Sequence, residues 1–264
     1  MPFTLIKGTF FPGNGIPDGD SVRFAADDIG LWQLLDGGIA DPGANDTVQL
    51  RFEGIDAIEK GAIQPLATQA RDSMLQLIGA SSLQDRPRGY VLSRSTDVHG
   101  RPIVFPFAGN TPEDDGASVF LDAARVRDSV NFGQVRAGFA YPLYYNTLFR
   151  EIRETLNEAL DDARNAGRGY WPTDATLTGV TVASRSDLDD ISPVWPKLWR
   201  RLEEFLRNHQ GLGGFLEFIE ASGERADDLT TFEQKSLDDF MEVNGNNVRM
   251  TLDPRHIRVV SVIT

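Results

Sequence analysis

The stretch 48–59, VQLRFEGIDAIE, constrains the fold and the function of this chain more than any other part of it. Apolar and polar residues alternate over its first half, which is the pattern of a β-strand with one buried face. Arg51 therefore lies on the polar face of this predicted strand. Gly54 ends the alternation, and two acids, Asp56 and Glu59, follow in the adjoining loop. An arginine and two carboxylates at the end of one strand can hold a hard cation beside an anionic substrate.

Composition limits the functions that such a charged group can serve. The chain has 264 residues, enough for one large domain or two smaller ones. It contains no cysteine, which excludes disulfides, thiolate zinc sites and cysteine nucleophiles. Its net charge of −13 argues against a broad basic surface that holds nucleic acid. A polyanion bound here would need local arginines and a metal ion.

No apolar run approaches the length of a transmembrane helix, so the sequence predicts no membrane partner. The first residues, MPFTLIKGTFFPG, lack the pattern of a signal peptide. The default expectation is therefore a cytoplasmic location, although a secreted protein trimmed of its leader would have the same sequence.

Apolar spacing predicts strands and helices along the chain. In the first two thirds, alternation predicts strands at 3–11, around Val22 and Phe24, at 48–52, at 90–94 and at 103–107. Helical spacing predicts helices at 66–78, 130–137 and 148–163. Residues 173–190 have no sustained apolar period and are predicted to be a linker. Beyond the linker, we expect helical segments at 195–206, 215–219 and 229–241, and a terminal hairpin of 248–252 with 257–263.

This order of elements predicts an α+β fold. Five strands with helices after the third suit a five-stranded β-barrel of the OB-fold type with packed helices, although pattern alone does not separate it from other α+β folds. We expect this domain over 1–172, the linker over 173–190, and a mostly helical extension ending in a β-hairpin over 191–264.

Several motifs resemble those of the staphylococcal-nuclease (thermonuclease) family in type, order and approximate spacing. They are PDGDSVRF, QLRFEGIDAIE, TDVHGRPIVF, VNFGQVRAGFAY and ARNAGRGYWP, and they extend over about residues 3–172. A D-G-D-S segment alone is typical of a turn, and Asp18 is expected to form one. Its combination with R-x4-D-x2-E and a later D-x2-G-R is much more specific.

The resemblance implies a binding site for one calcium ion. It assigns Asp20 and Asp56 as carboxylate ligands and the backbone carbonyl of Ala57 as a further ligand. Ala57 and Ile58 stand where the family usually has threonine and proline. A carbonyl ligand does not depend on the lost threonine side chain.

The resemblance also implies the residues that act on the substrate. Glu59 matches the acid that positions or deprotonates the attacking water, and Arg51 and Arg101 match the arginines that hold the scissile phosphate. Tyr144 and His99 are candidates for substrate contacts, although His99 is also typical of an exposed turn. Two guanidinium forks suit a phosphate because each can donate two parallel hydrogen bonds.

Together these motifs predict a calcium-dependent nuclease. By family resemblance it hydrolyses phosphodiester bonds of DNA or RNA, with single strands favoured, and leaves 3′-phosphate and 5′-hydroxyl ends. One alternative is a non-catalytic module that binds nucleic acid or protein on the same barrel. Another is that the acidic C-terminal extension dominates the function through homodimerisation or partner docking.

Overall fold

The computed structural model describes residues 2–15, 17–38, 40 and 42–260, apart from the side chain of Ala44. The protein is a mixed α+β protein, which confirms the predicted class. We call residues 2–172 the first region and residues 173–260 the C-terminal region.

The first region contains most of the strands expected from alternation. Its elements are β1 (Phe3–Phe10), β2 (Arg23–Ala26), β3 (Thr47–Gln49), β4 (Arg51–Phe52), β5 (Ile55–Asp56), α1 (Leu66–Leu77), β6 (Arg88–Thr96), β7 (Pro102–Ala108), β8 (Ser118–Val119), α2 (Ala123–Arg127), α3 (Val130–Ala137), β9 (Tyr141–Pro142), β10 (Tyr144–Tyr145) and α4 (Arg150–Asn165). Short 3-10 helices lie at Ile29–Leu34 and Ala44–Asp46.

The C-terminal region mixes helices with short strands. Its elements are β11 (Val180–Thr181), a 3-10 helix (Arg185–Asp189), α5 (Pro196–Leu206), α6 (Phe215–Ala221), β12 (Arg225–Asp228), β13 (Glu233–Ser236), a 3-10 helix (Leu237–Phe240), β14 (Met241–Asn244), β15 (Asn247–Met250), a 3-10 helix (Pro254–His256) and β16 (Ile257–Val259).

The largest sheet has the strand order β3-β2-β1-β6-β7-β4, with β8 paired to β1. Its pairs are antiparallel except β4 with β7, which run parallel with Arg51 opposite Ile103. The strands at the two ends of this order, β3 and β4, are consecutive in the chain and are separated only by Leu50. One extended stretch, 47–52, therefore supplies both ends of the sheet.

Two helices show why this sequence forms the predicted elements. Helix α3 begins after Ser129, whose hydroxyl accepts a hydrogen bond from the Phe132 N–H at 3.2 Å, and ends at Gly138 with φ of 80°. In α4, an apolar stripe that includes Ile152, Leu156 and Leu160 is buried against the sheet core.

The C-terminal region packs on the first region through a shared apolar core. Tyr141 and Tyr170 from the first region lie in the same buried cluster as Leu198 of α5 and Trp195, the residue just before that helix. The indole N–H of Trp195 donates to the Pro142 carbonyl at 3.0 Å. Helix α5 is therefore fixed directly beside β9.

The segment 173–190 differs from the predicted linker. It contains β11, which pairs with β15, and a 3-10 helix that begins with a capping box at Ser184. Val180, Val182 and Leu188 are buried in the shared core. These few apolar residues lie on short, irregular backbone segments. Their spacing therefore shows neither the period of a strand nor that of a helix. The division of the chain into domains stays a prediction.

Two further C-terminal predictions are wrong. Residues 229–241 form β13 and a 3-10 helix rather than an α-helical segment. The predicted hairpin of 248–252 with 257–263 is replaced by a hairpin of β14 and β15, turned by Gly245 and Asn246. Strand β16 pairs instead with β12 and β10, and residues 261–264 lie outside the described part of the chain.

Throughout the described ranges, the helices are too short or too polar to cross a bilayer. A homodimer through the C-terminal region stays a prediction.

Candidate functional site

The fold brings together the acids that the sequence predicts as metal ligands. Asp56 ends β5, where pairing with β9 sets it opposite Tyr141, and the residue is only 4% exposed. The Asp20 carboxylate accepts a hydrogen bond from the Ala57 N–H at 3.0 Å. The Phe52 N–H donates to the Asp20 carbonyl at 3.0 Å. Asp20 is thereby held alongside the stretch that carries Asp56.

The D-G-D turn is fixed by side-chain hydrogen bonds and by close packing. The Asp18 carboxylate accepts from the Ser21 hydroxyl at 2.6 Å, as expected of a turn former. The buried Gln134 amide donates to the Gly19 carbonyl at 2.6 Å. A Cβ at Gly19 would lie 2.8 Å from the Ala57 Cβ, which is closer than van der Waals contact allows. Glycine at this position lets the turn approach the acid-bearing loop.

We call Asp18, Asp20, Asp56 and Glu59 the acid cluster. Burial raises the pKa of Asp20 well above its ordinary value, and the carboxylates of Asp18 and Asp56 raise it further. Burial also raises the pKa of Glu59, an effect that the guanidinium of Arg200 opposes only in part. Burial and the neighbouring carboxylates therefore both disfavour the charged form of Asp20.

Arg200, on α5, supplies a cation to this cluster. Its Nη1 and Nη2 donate to the two carboxylate oxygens of Asp56 at 2.9 and 2.8 Å, and Nη1 also donates to Glu59 at 2.9 Å. Burial opposes the charge of Arg200, yet Asp56 and Glu59 raise its pKa overall. Arg200 could not be found from the sequence, because nothing in the pattern of α5 identifies a partner 144 positions away.

The two predicted phosphate-binding arginines meet at one carboxylate. The parallel pairing of β4 with β7 brings Arg51 near the turn that carries Arg101. Arg101 Nε donates to Asp97 Oδ2 at 2.8 Å, and Arg51 Nη1 lies 3.9 Å from the same oxygen. Arg51 Nη2 also donates to the Tyr145 hydroxyl at 3.0 Å. Asp97 thus provides the negative charge between the two guanidinium groups.

Arg51 links the arginine pair to the acid cluster. Burial would lower the pKa of Arg51, but the phenol of Tyr145 and the carboxylates of Asp56 and Asp20 raise it overall. These carboxylates are therefore close enough to stabilise its charge. Asp20, Asp56, Glu59, Arg51 and Arg101 form one charged region, while their individual roles stay predictions.

The three remaining predicted site residues, Tyr144, His99 and Ala57, differ in burial and in hydrogen-bond partners. Tyr144 is 1% exposed and its hydroxyl donates to Asn157 at 2.8 Å, while the adjacent Tyr145 is the tyrosine that bonds to Arg51. A substrate contact of Tyr144 stays a prediction. His99 is an exposed turn residue whose N–H donates to Asp97 at 2.9 Å. Ala57 contributes its N–H to Asp20, and its carbonyl as a calcium ligand stays a prediction.

The acid cluster offers the type of ligand that calcium binds, since its members are carboxylates. Over the described residues, no group of three or more His, Cys, Asp or Glu side chains is arranged so that it could hold a metal ion. Arg200 is instead the cation bound to Asp56 and Glu59 in this structure.

No protein-family model and no curated protein matches this chain. Membership of the staphylococcal-nuclease family therefore stays a prediction from the motifs.

The buried acid Glu53, which lies near Arg94 and Arg51, should make the free energy of unfolding depend on pH. Glu53 is 8% exposed and lies 3.9 Å from Arg94. Burial raises the pKa of Glu53 from 4.5 to about 7, although Arg94 and Arg51 oppose the shift. The folded state therefore binds this proton more tightly than the unfolded state does, so the free energy of unfolding falls as pH rises from 4.5 to about 7.

Glu53→Gln removes this titration. We expect the variant to be more stable than the wild type at pH 8 by about 3 kcal/mol, with the difference vanishing near pH 4.5. Urea unfolding of both proteins between pH 4.5 and 8 measures this difference. A stability difference that does not change with pH would contradict the prediction.

Proposed function

We propose that the protein is a calcium-dependent nuclease that hydrolyses phosphodiester bonds of single-stranded DNA or RNA. The observation that carries this proposal is the convergence of three separate chain segments on one charged region. These segments contribute Asp20, the stretch from Arg51 to Glu59, and Arg101. Acids and arginines at one site match the needs of a reaction that develops negative charge on phosphate oxygens.

The arginines and the acids of the site have different roles in this proposed reaction. Arg51 and Arg101 replace their contacts to Asp97 with contacts to the scissile phosphate and stabilise its developing charge. Glu59 accepts the proton of the attacking water, and its raised pKa makes it a stronger base for this role. A calcium ion, when bound to the acids, would supply Lewis-acid stabilisation and orient the phosphate. Cleavage of the P–O5′ bond then leaves a 3′-phosphate and a 5′-hydroxyl.

We also propose that the large sheet corresponds to the five-stranded barrel of an OB-type fold. Support comes from its strand order, in which the outer strands β3 and β4 are successive parts of one stretch. A barrel of this type binds nucleic acid on its strand face and loops.

The proposed chemistry is tested with a labelled single-stranded oligonucleotide in calcium and in chelator. We expect cleavage in calcium only, and a loss of about 10²- to 10⁴-fold in Glu59→Gln. The 5′ ends of the products should accept phosphate from polynucleotide kinase without prior dephosphorylation. Glu158→Gln is the matched control and should cleave normally, because Glu158 is an exposed acid of α4 that pairs with Arg127 of α2. Equal cleavage by Glu59→Gln would contradict the assigned role.

A second candidate is a nucleic-acid-binding module without turnover. The observation that favours it is that Asp56 and Glu59 are bonded to Arg200 while Arg101 is bonded to Asp97. The same oligonucleotide distinguishes the two candidates, because a binder would give a stable complex in calcium, measured by fluorescence anisotropy, with no cleavage.

A further inference from the structure

Arg200 reaches the acid cluster from the opposite region of the chain. The neighbouring arginines pair with acids of their own region: Arg201 of α5 with Glu204 and Glu224, and Arg207, just after α5, with Glu203. Arg200 instead forms its three hydrogen bonds with Asp56 and Glu59. This contact therefore couples the C-terminal region to the site that the motifs predict.

The geometry of the contact bears on cation binding. The guanidinium donates to both carboxylate oxygens of Asp56, so it covers the oxygens through which Asp56 would bind a metal ion. It also covers the Glu59 oxygen nearest to it. A divalent ion and the guanidinium cannot occupy the same oxygens at once, because they would compete for the same lone pairs and repel each other.

We propose that Arg200 is a built-in competitor of the divalent cation, so that Asp56 becomes a ligand only when the guanidinium withdraws. The inference deepens the proposed function, on whose calcium site it rests. The apparent affinity for calcium is the intrinsic affinity reduced by the fraction of molecules in which Arg200 has withdrawn. The position of α5 therefore sets the calcium affinity of a site in the first region.

Charge at the site supports competition rather than a purely structural ion pair. Arg200 donates to Asp56 and Glu59, whereas the carboxylate of Asp20 accepts its hydrogen bond from the uncharged Ala57 N–H. The guanidinium therefore bonds to two of the four acids of the cluster and brings one positive charge to it. A divalent ion brings two positive charges, and so it can displace the arginine when its concentration is high enough.

The test is calorimetric titration of the full-length chain with calcium alone. Arg200→Met should bind calcium about tenfold more tightly than the wild type, or more, if the guanidinium leaves the acids in about one molecule in ten. Arg201→Met, one position along the same helix, is the matched control and should bind like the wild type. The double variant Arg200→Met with Asp56→Asn should lose the gain, because it lacks the carboxylate that Arg200 covers.

Folding of each variant is checked by its cooperative thermal transition in chelator. Calcium should raise the midpoint of this transition more in Arg200→Met than in the wild type, because binding stabilises the folded state. Should Arg200→Met fail to fold, Arg200→Lys keeps the positive charge but cannot form the fork. It should bind calcium more tightly than the wild type by a smaller factor.

The outcomes separate this inference from the proposed function. If the folded variants at position 200 bind calcium no more tightly than the wild type while the wild type cleaves DNA in calcium, the inference is wrong and the nuclease proposal stands. If Arg200→Met gains affinity and no variant cleaves, the inference stands and the nuclease proposal is wrong. If no protein binds calcium, the inference and the calcium dependence are both wrong.

Discussion

Arg51→Lys is expected to lower kcat/KM for cleavage of single-stranded DNA by about 10²- to 10³-fold. The lysine keeps the positive charge, but it loses the planar fork that can donate two parallel hydrogen bonds to a phosphate. It also loses the geometry by which Arg51 bonds to Tyr145 and faces Asp97. The measurement is the initial rate of cleavage at several substrate concentrations in calcium.

Arg127→Lys is the control for this substitution. Arg127 lies on the surface of α2 and pairs with Glu158, away from the charged region, so the same change there should leave kcat/KM unaltered. Normal cleavage by Arg51→Lys would mean that the guanidinium fork is not used, and it would remove Arg51 from the proposed phosphate site.

Trp195→Ala is expected to destabilise the protein by about 3 to 5 kcal/mol. Trp195 is fully buried between the two regions, and its indole N–H donates to Pro142 on β9. The substitution leaves a large cavity in the shared core and an unpaired buried carbonyl. The free energy of unfolding from urea titration measures the loss.

Phe232→Ala provides the comparison for an aromatic residue of the same region. Phe232 is 86% exposed, so its removal should change stability by no more than about 0.5 kcal/mol. We also expect both regions of the wild type to unfold in one transition, because they share the core around Trp195. A small effect of Trp195→Ala, or two separate transitions, would show that the regions are energetically independent.

Local patterns in the sequence predicted the elements that carry the site. Alternation at 48–52 predicted the stretch that supplies β3 and β4, and the bounds predicted for α3, 130–137, are those observed. The motifs also brought Asp20, Asp56 and Glu59 into one hypothesis, and the structure places these acids together. These predictions depend on short-range periodicity or on spacing within a motif.

Long-range contacts could not be predicted in this way. The partners of Arg200 depend on how α5 packs against the first region, which no local pattern encodes. The bond of Arg51 to Tyr145 rather than Tyr144 depends on which face of a two-residue strand is buried, and both residues are tyrosines. The short strands of the C-terminal region lack enough residues to show alternation, although the turn at Gly245 and Asn246 was a usable signal.

Tolerance to insertions and deletions should differ sharply along this chain because of the single residue between β3 and β4. Leu50 donates its N–H to the Val22 carbonyl, while its neighbour Arg51 already belongs to the pairing with β7. Adding or removing one residue here would turn Arg51 towards the interior and expose Phe52, because side chains alternate between the two faces of a strand. Natural variation in length should therefore accumulate in the surface connections and avoid the stretch 47–52.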